Sequence, residues 1–310
     1  MPVTMPRQTV IEVENLRKTY GPVIAVESVS LEVYKGEIFG LVGPNGAGKT
    51  TSVECIEGLR RPDAGRLCVL GLDPGRDGYA LRERIGVQLQ ESALQNRIRV
   101  WEALDLFASL NTRSVPWEPL LDQLGLAEKR NAPFAKLSGG QKQRLYIALA
   151  LVNDPEIIFL DELTTGLDPQ ARRAMWDLVR QVRDRGKTVV LTTHFMEEAE
   201  RLCDRVAVMD RGRIVALDTP EKLVQNIGAE NRVVFVLVQP ADLTGLSHLE
   251  DVSRAEQTGD RIVVYGRSDQ TVVEVVKFLS ANRVRFRDLR TEQPTMDDVF
   301  LALTGREMRD

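Results

Sequence analysis

Apolar and polar positions change rhythm several times along the chain. Over residues 8–36 they alternate, as in Val10, Glu12 and Leu16 and again in Leu31, Glu32 and Val33. Alternation is the period of a half-buried strand. It predicts antiparallel strands joined by turns, with a further strand from Arg66 to Leu72. Continuous apolar runs then replace alternation at Ile38–Val42, Ile157–Leu160 and Val189–Leu191. Such runs are buried on both faces. Their βαβ order over residues 37–65 and 154–218 predicts a mainly parallel sheet. Between these blocks, residues 92–150 are expected to be helical. Trp101 to Leu110 has apolar residues at helical spacing, and Leu120, Leu121, Leu124 and Leu126 follow. This aromatic and leucine stripe reads as core.

The rhythm restarts after Asn226–Asn231. Val233–Val238 and Asp260–Tyr265 read as strands, and Val284–Phe286 as a third. Thr271–Leu279 carries a helical stripe of Val272, Val275, Val276 and Leu279, with Ser268 or Asp269 available as cap. Thr295-Met296-Asp297-Asp298 opens a last helix with a capping pattern that uses Asp where Glu or Gln is usual. The expected division is a large domain over 8–228 and a small α+β domain over 229–310. The last helix has an apolar stripe of Val299, Phe300 and Leu303. It is expected to pack against the large domain or a second copy, or simply inside the small domain.

Composition narrows the class. The chain has 310 residues, is 43% hydrophobic and carries a formal net charge of −4. That gives no reason to expect a nucleic-acid surface. No stretch approaches the roughly 18 continuous apolar residues of a spanning helix. The start, Met1 to Arg7, lacks the apolar core of a signal peptide, so a cytosolic location is expected. Cys55, Cys68 and Cys203 are scattered without metal spacing, as in a reducing compartment.

The chemistry is concentrated after the first buried strand. Gly43-Pro44-Asn45-Gly46-Ala47-Gly48-Lys49-Thr50 follows Ile38–Val42 and precedes a helical start at Thr51. Strand, glycine-rich turn and helix N-terminus form the context of a phosphate-binding loop. The glycines let several backbone N–H groups point at one anion. The helix N-terminus adds unpaired donors. Lys49 supplies a point charge for phosphates and Thr50 a hydroxyl for Mg²⁺.

A second helix start lies at Leu137-Ser138-Gly139-Gly140-Gln141. Ser138 is a good N-cap, and the two glycines leave backbone N–H groups open to a ligand. The helix continues through Leu145, Leu149, Leu151 and Val152. Paired with the phosphate loop, this segment resembles the signature motif of ATP-binding-cassette (ABC) ATPases. The resemblance implies the α/β fold of that family: a P-loop core with a mainly parallel sheet, an antiparallel β-subdomain and a helical subdomain at about 92–150. It also implies a head-to-tail homodimer holding two ATP, each bound by one phosphate loop and the partner's signature.

Further positions match the family one by one. Asp161 and Glu162 end an apolar strand, where carboxylates face the ligand crevice of a parallel sheet. The resemblance makes Asp161 the Mg²⁺ ligand through water and Glu162 the base. Asp168, in Thr165-Gly166-Leu167-Asp168-Pro169, matches the loop linking the two sites of the dimer. His194, after Val189–Thr193, matches the γ-phosphate sensor. Gln90 matches the glutamine that reaches Mg²⁺ and the attacking water, with Gln88 the competing choice. Tyr20 matches the aromatic that stacks on adenine. Thr51 completes the phosphate loop. The family usually has proline after the catalytic glutamate; here Leu163 stands there, which leaves Glu162 more backbone freedom.

Pro294–Gly305 resembles the tail of daunorubicin-type drug-resistance export ATPases. By resemblance the chain is an ATPase subunit of an exporter of drugs, antibiotics, lipids or polysaccharides. It would lie on the inner face of the cell membrane beside a separate transmembrane permease, with the loop Glu91–Arg99 as the docking segment. Two alternatives stay open: an importer ATPase with a C-terminal regulatory domain, and a non-transport ABC ATPase acting on ribosomes or DNA.

Overall fold

The computed structural model describes residues 7–88, 94–228, 230–268 and 270–305. The chain divides at Pro220–Glu221 into two compact units.

The first unit opens with a long hairpin, β1 (Thr9–Tyr20) and β2 (Val23–Tyr34), followed by β3 (Ile38–Val42), α1 (Lys49–Ile56) and β4 (Ala64–Val69). The alternating residues behave as alternation dictates. Ile11, Val13 and Leu16 on β1 and Val29, Leu31 and Val33 on β2 are buried. α2 (Gly78–Arg82) and β5 (Ile85–Gln88) lead to three helices: α3 (Val100–Ser109), α4 (Glu118–Gln123) and α5 (Gly139–Leu151). Then come β6 (Ile157–Asp161), α6 (Pro169–Asp184), β7 (Thr188–Thr193), α7 (Met196–Leu202), β8 (Arg205–Asp210) and β9 (Arg213–Asp218). One nine-stranded sheet runs β4-β1-β2-β9-β8-β3-β7-β6-β5. Its β8-β3-β7-β6-β5 stretch is parallel, and β1, β2 and β4 pair antiparallel. This is the mainly parallel core with an antiparallel extension that the two rhythms predict.

Register positions the site. Val42 pairs with Thr193, and Asp161 with Thr192. Parallel strands in register end at one level, so the loops after β3, β6 and β7 gather at one edge of the sheet. Every residue of β3, β6 and β7 is buried. Full burial of an aliphatic or aromatic side chain contributes about 1.5–3 kcal/mol, so this edge rests on well-anchored strands.

The second unit begins with α8 (Pro220–Asn226). It continues with β10 (Asn231–Leu237), β11 (Val252–Thr258), β12 (Arg261–Gly266), α9 (Gln270–Ala281), β13 (Phe286–Glu292) and α10 (Met296–Thr304). Its sheet is antiparallel, in the order β11-β12-β10-β13. Val233, Phe235 and Leu237 of β10 pack with Val275 and Leu279 of α9 in a core of their own. Two sequence expectations change here. β11 is a fourth strand not foreseen, and the expected strand at 284–286 lies instead at 286–292. Both segments are mostly exposed, so neither shows the alternation that reveals a half-buried strand. Ser268 does cap α9, its hydroxyl accepting from Gln270 N at 3.1 Å; Asp269 lies outside the described residues. The Thr295 N–H donates to Asp298 at 3.0 Å, so the Asp version of the capping box forms. In α10, Val299 and Phe300 are 0% and 1% exposed within the single chain, whereas Leu303 is 41% exposed. Most of that stripe is therefore consumed without a second copy.

Candidate functional site

The loop between β3 and α1 has the shape its glycines allow. Gly43 and Gly48 have φ of 155° and 99°. A Cβ on Gly43 would lie 2.2 Å from the Met209 carbonyl oxygen, and one on Gly48 would lie 2.3 Å from that of Ala25. Only glycine fits between these two backbones. No side chain caps α1, so its first turn is left to an anion. Lys49 is buried, and its Nζ donates to the carbonyls of Gly43 at 2.7 Å and Pro44 at 3.1 Å. Burial holds its pKa below the ordinary lysine value, opposed by the charges of Glu162 and Asp161. A cavity of about 450 Å³ opens here, lined by Asn45, Gly46, Lys49, Thr50, Thr51 and Glu162 among others.

The acidic end is built by β6 and β7. Thr50 Oγ1 lies 3.4 Å from Asp161 Oδ1, so two hard oxygen donors from different elements converge. That donor set fits Mg²⁺, which takes one or two carboxylates and completes its shell with phosphate and water. Burial pushes the Asp161 carboxyl up, opposed by hydrogen bonds from Thr192 and Thr50. Glu162 sits at φ 48°, a left-handed conformation uncommon outside glycine and concentrated at functional sites. Its backbone N–H donates to the Thr192 carbonyl at 3.1 Å and to Thr192 Oγ1 at 3.2 Å. Its Oε1 lies 3.3 Å from His194 Nδ1, and Thr165 Oγ1 donates to its Oε2 at 3.4 Å. The His194 ring packs on Phe195 with centroids 4.1 Å apart.

The other sequence candidates take different places. Ser138 caps α5, accepting from Gln141 N at 3.3 Å, while the Gln141 side chain accepts from Ser138 N at 3.0 Å. Gly139 and Gly140 form the first turn of α5. Asp168 caps α6, its Oδ1 accepting from Gln170 N at 3.0 Å and Ala171 N at 2.9 Å. None of these lines the cavity of the phosphate loop. Tyr20 ends β1 opposite Val23 and is 40% exposed; Val23 and Ile24 do line that cavity. Gln90 lies outside the described residues, as do Glu91, Ser92 and Ala93. Gln88 is buried at the end of β5.

Three contributors escape a reading of the sequence. Thr192 bonds both Asp161 and the Glu162 backbone; its only signal is a hydroxyl inside an apolar strand. Gln143 of α5 donates to the Leu163 carbonyl at 3.0 Å. The helix that Ser138 opens thus holds the residue after Glu162, and Leu163 is buried. Glu57 is buried beyond the end of α1 with one carboxylate oxygen unpartnered. Its pKa is pushed up to about 9, chiefly by burial and then by the charge of Asp161.

Comparison with known proteins gives one answer. The family profile described as ABC transporter matches residues 26–165. The Nod factor export ATP-binding protein I of Ralstonia nicotianae is 40% identical, covering 97% of this chain and 95% of the relative. Its namesake from Rhizobium etli is 41% identical over the same shares. Among solved structures, an ATP-binding cassette of an ABC transporter in its ADP conformation aligns with TM-score 0.64 and 25% identity, covering 71% of this chain and 94% of that one. A dimeric cassette in a post-hydrolysis state bound to ADP and Pi aligns with TM-score 0.60 and 28% identity, covering 67% and 98%. The phosphate loop, the paired carboxylates at the end of β6 and the capped Ser-Gly-Gly-Gln helix stand on a fold shared with these cassettes, and the chain belongs to the ATP-binding subunits of the ABC transporter family.

Proposed function

We propose that this chain hydrolyses ATP to drive export through a separate membrane permease, working as a head-to-tail dimer on the inner face of the cell membrane. The observation that carries the reading is the placement of Glu162. Glu162 lines the same cavity as Lys49 and Thr50, and its carboxylate lies 3.3 Å from His194 Nδ1. A carboxylate beside a phosphate cradle is placed to take a proton from an attacking water, worth roughly 10²–10⁴-fold in rate. Lys49 and the first-turn N–H groups of α1 hold the phosphates and stabilise developing charge. Thr50 and Asp161 would hold Mg²⁺, which supplies further positive charge to the transferring group when bound. Thr192 keeps Asp161 and Glu162 in fixed relation. His194 orients the Glu162 carboxylate from its other side.

The dimer reading rests on Ser138 and Asp168. Both are helix caps that do not line the phosphate-loop cavity of their own chain, as expected of groups that serve a partner's nucleotide. Export rests on the relatives named as export proteins. Among the described residues, no helix is long and apolar enough to cross a membrane, which is why a separate permease is part of the proposal. The 8–228 and 229–310 division is retained as a functional proposal: a catalytic cassette and a regulatory or dimerising domain. The test is Ser138→Arg. Hydrolysis should stop while ATP binding by the single chain persists, and mixing with Lys49→Ala should restore one composite site of two. Loss of ATP binding by Ser138→Arg would reject the shared-site arrangement. Reconstitution with the permease into vesicles, scored for ATP-dependent outward or inward movement, decides export against import.

A further inference from the structure

The end of β1 carries more than an exposed aromatic ring. The Arg60 guanidinium carbon lies 5.1 Å from the Tyr20 ring centroid, and Lys18 Nζ lies 5.8 Å from it. Both fall within the roughly 6 Å range in which a cation is held by an aromatic face. Arg60 is itself pinned at two levels. Its Nε donates to Glu54 Oε2 at 2.5 Å. Its backbone N–H donates to the Glu54 carbonyl at 3.0 Å, as does that of Leu59 at 2.9 Å. This double capture closes the C-terminal end of α1. It depends on Gly58, whose φ of 75° turns the chain, and whose absent Cβ would lie 2.8 Å from the Pro74 carbonyl oxygen. The next segment is sewn to β1 as well. Asp63 accepts from Lys18 Nζ at 2.8 Å and from Thr19 N and Oγ1 at 2.7 Å each, and its N–H donates to the Arg17 carbonyl at 2.9 Å.

Glu54 stands on the helix that Lys49 opens. A chain of contacts therefore runs from the phosphate-loop helix through Glu54 and Arg60 to the Tyr20 ring. We infer that Arg60, held by Glu54, is a positioning residue for Tyr20. It fixes the ring as a platform for the nucleotide base, at a set distance from the phosphate cradle. The inference rests on the reading of Tyr20 as the base platform. It adds the mechanism by which an exposed tyrosine, at the end of a strand, keeps one orientation without a base present. A flexible ring would have to be ordered on binding, at the expense of affinity. A ring already clamped by a cation does not. The arginine also places positive charge beside the ring, which favours an electron-rich base on its free surface.

The test separates base from phosphate. Dissociation constants of the full chain for ATP and for inorganic tripolyphosphate are measured by calorimetry. Tyr20→Ala should weaken ATP about tenfold, from the worth of one stacked base, and leave tripolyphosphate within about twofold. Arg60→Ala should weaken ATP about fivefold, the scale of one partly desolvated cation–π contact, again sparing tripolyphosphate. Glu54→Gln, which keeps Arg60 but loosens it, should fall between Arg60→Ala and wild type. Adding Arg60→Ala to Tyr20→Ala should produce no further loss, because both act through one ring. Unchanged ATP affinity in Arg60→Ala overturns the inference. So does an equal loss for ATP and tripolyphosphate, which marks a general distortion of α1. A full Arg60 effect that survives in the Tyr20→Ala background overturns it as well. If Tyr20→Ala itself spares ATP, the reading of Tyr20 as base platform fails, and the inference falls with it. That result is distinct from the others.

Discussion

Glu162 is held in an unusual backbone state by its neighbours rather than by its own preference. A left-handed non-glycine residue costs about 1–3 kcal/mol and persists only where surroundings over-determine it. Here Thr192 takes its N–H twice, and Gln143 holds the carbonyl of Leu163. The proline missing at 163 is replaced in effect by burial and by this bond. Glu162→Gln should keep ATP affinity within about threefold, lower hydrolysis by roughly 10²–10⁴-fold and trap an ATP-dependent dimer visible by size-exclusion chromatography. Lys49→Ala should weaken a fluorescent ATP analogue about a hundredfold or more, because it deletes bonds to charge worth about 1.5–3 kcal/mol each. Glu57 gives a pH signature. Burial pushes its pKa in the folded chain up to about 9, well above the ordinary glutamate value of 4.5, and so favours the neutral form. That stability is complete below about pH 4.5 and is lost as pH rises toward 9, when the unfolded chain can ionise and the folded one resists. Glu57→Gln should therefore stabilise the protein at pH 8 more than at pH 5, read from urea midpoints. The residues proposed for catalysis were legible because phosphate chemistry restricts their types and spacing. Thr192 and Arg60 were not, since each acts through another side chain brought near only by folding.

Helix ends carry much of the proposed function. α1 has no side-chain cap and meets a phosphate loop; α5 and α6 are capped by Ser138 and Asp168. Asp168→Ala should remove the cap of α6 and lower stability by about 0.5–2 kcal/mol, measured by denaturant midpoint, while ATP binding by the single chain stays unchanged. Gly48→Ala should do the opposite in kind. The added carbon meets the Ala25 carbonyl oxygen at 2.3 Å, so the loop must shift, and ATP affinity should fall with stability. Loss of one without the other would show that the loop can relax. The caps and the glycine turn were readable from residue type, because local backbone chemistry decides them. The parallel strands were readable as apolar runs. Their in-register ends, which bring Val42, Asp161 and Thr193 to one level, belong to pairing between distant segments, and no local pattern encodes that.

Taken whole, the molecule has two units with separate cores, and the clarity of the sequence differs between them. The first buries long strands and announces them. The second hides β11 and β13 because their side chains stay in water. With nucleotide held by the first unit, MgATP at about a hundred times its dissociation constant should add about 2.7 kcal/mol to that unit. Scanning calorimetry should show one transition raised and the other unmoved. β13 has a further consequence. It is an outer strand of its sheet, paired on one side with β10, and a bare outer strand is a template for adding another chain. Arg287, Asp288, Arg290 and Glu292 occupy it. The charges that conceal this strand from pattern reading also make it a poor seed for fibres. Replacing Arg287 and Arg290 by valine would make the segment easy to recognise as a strand. It should also make concentrated solutions of the protein turn cloudy and bind amyloid dyes on gentle heating, where the parent chain stays clear.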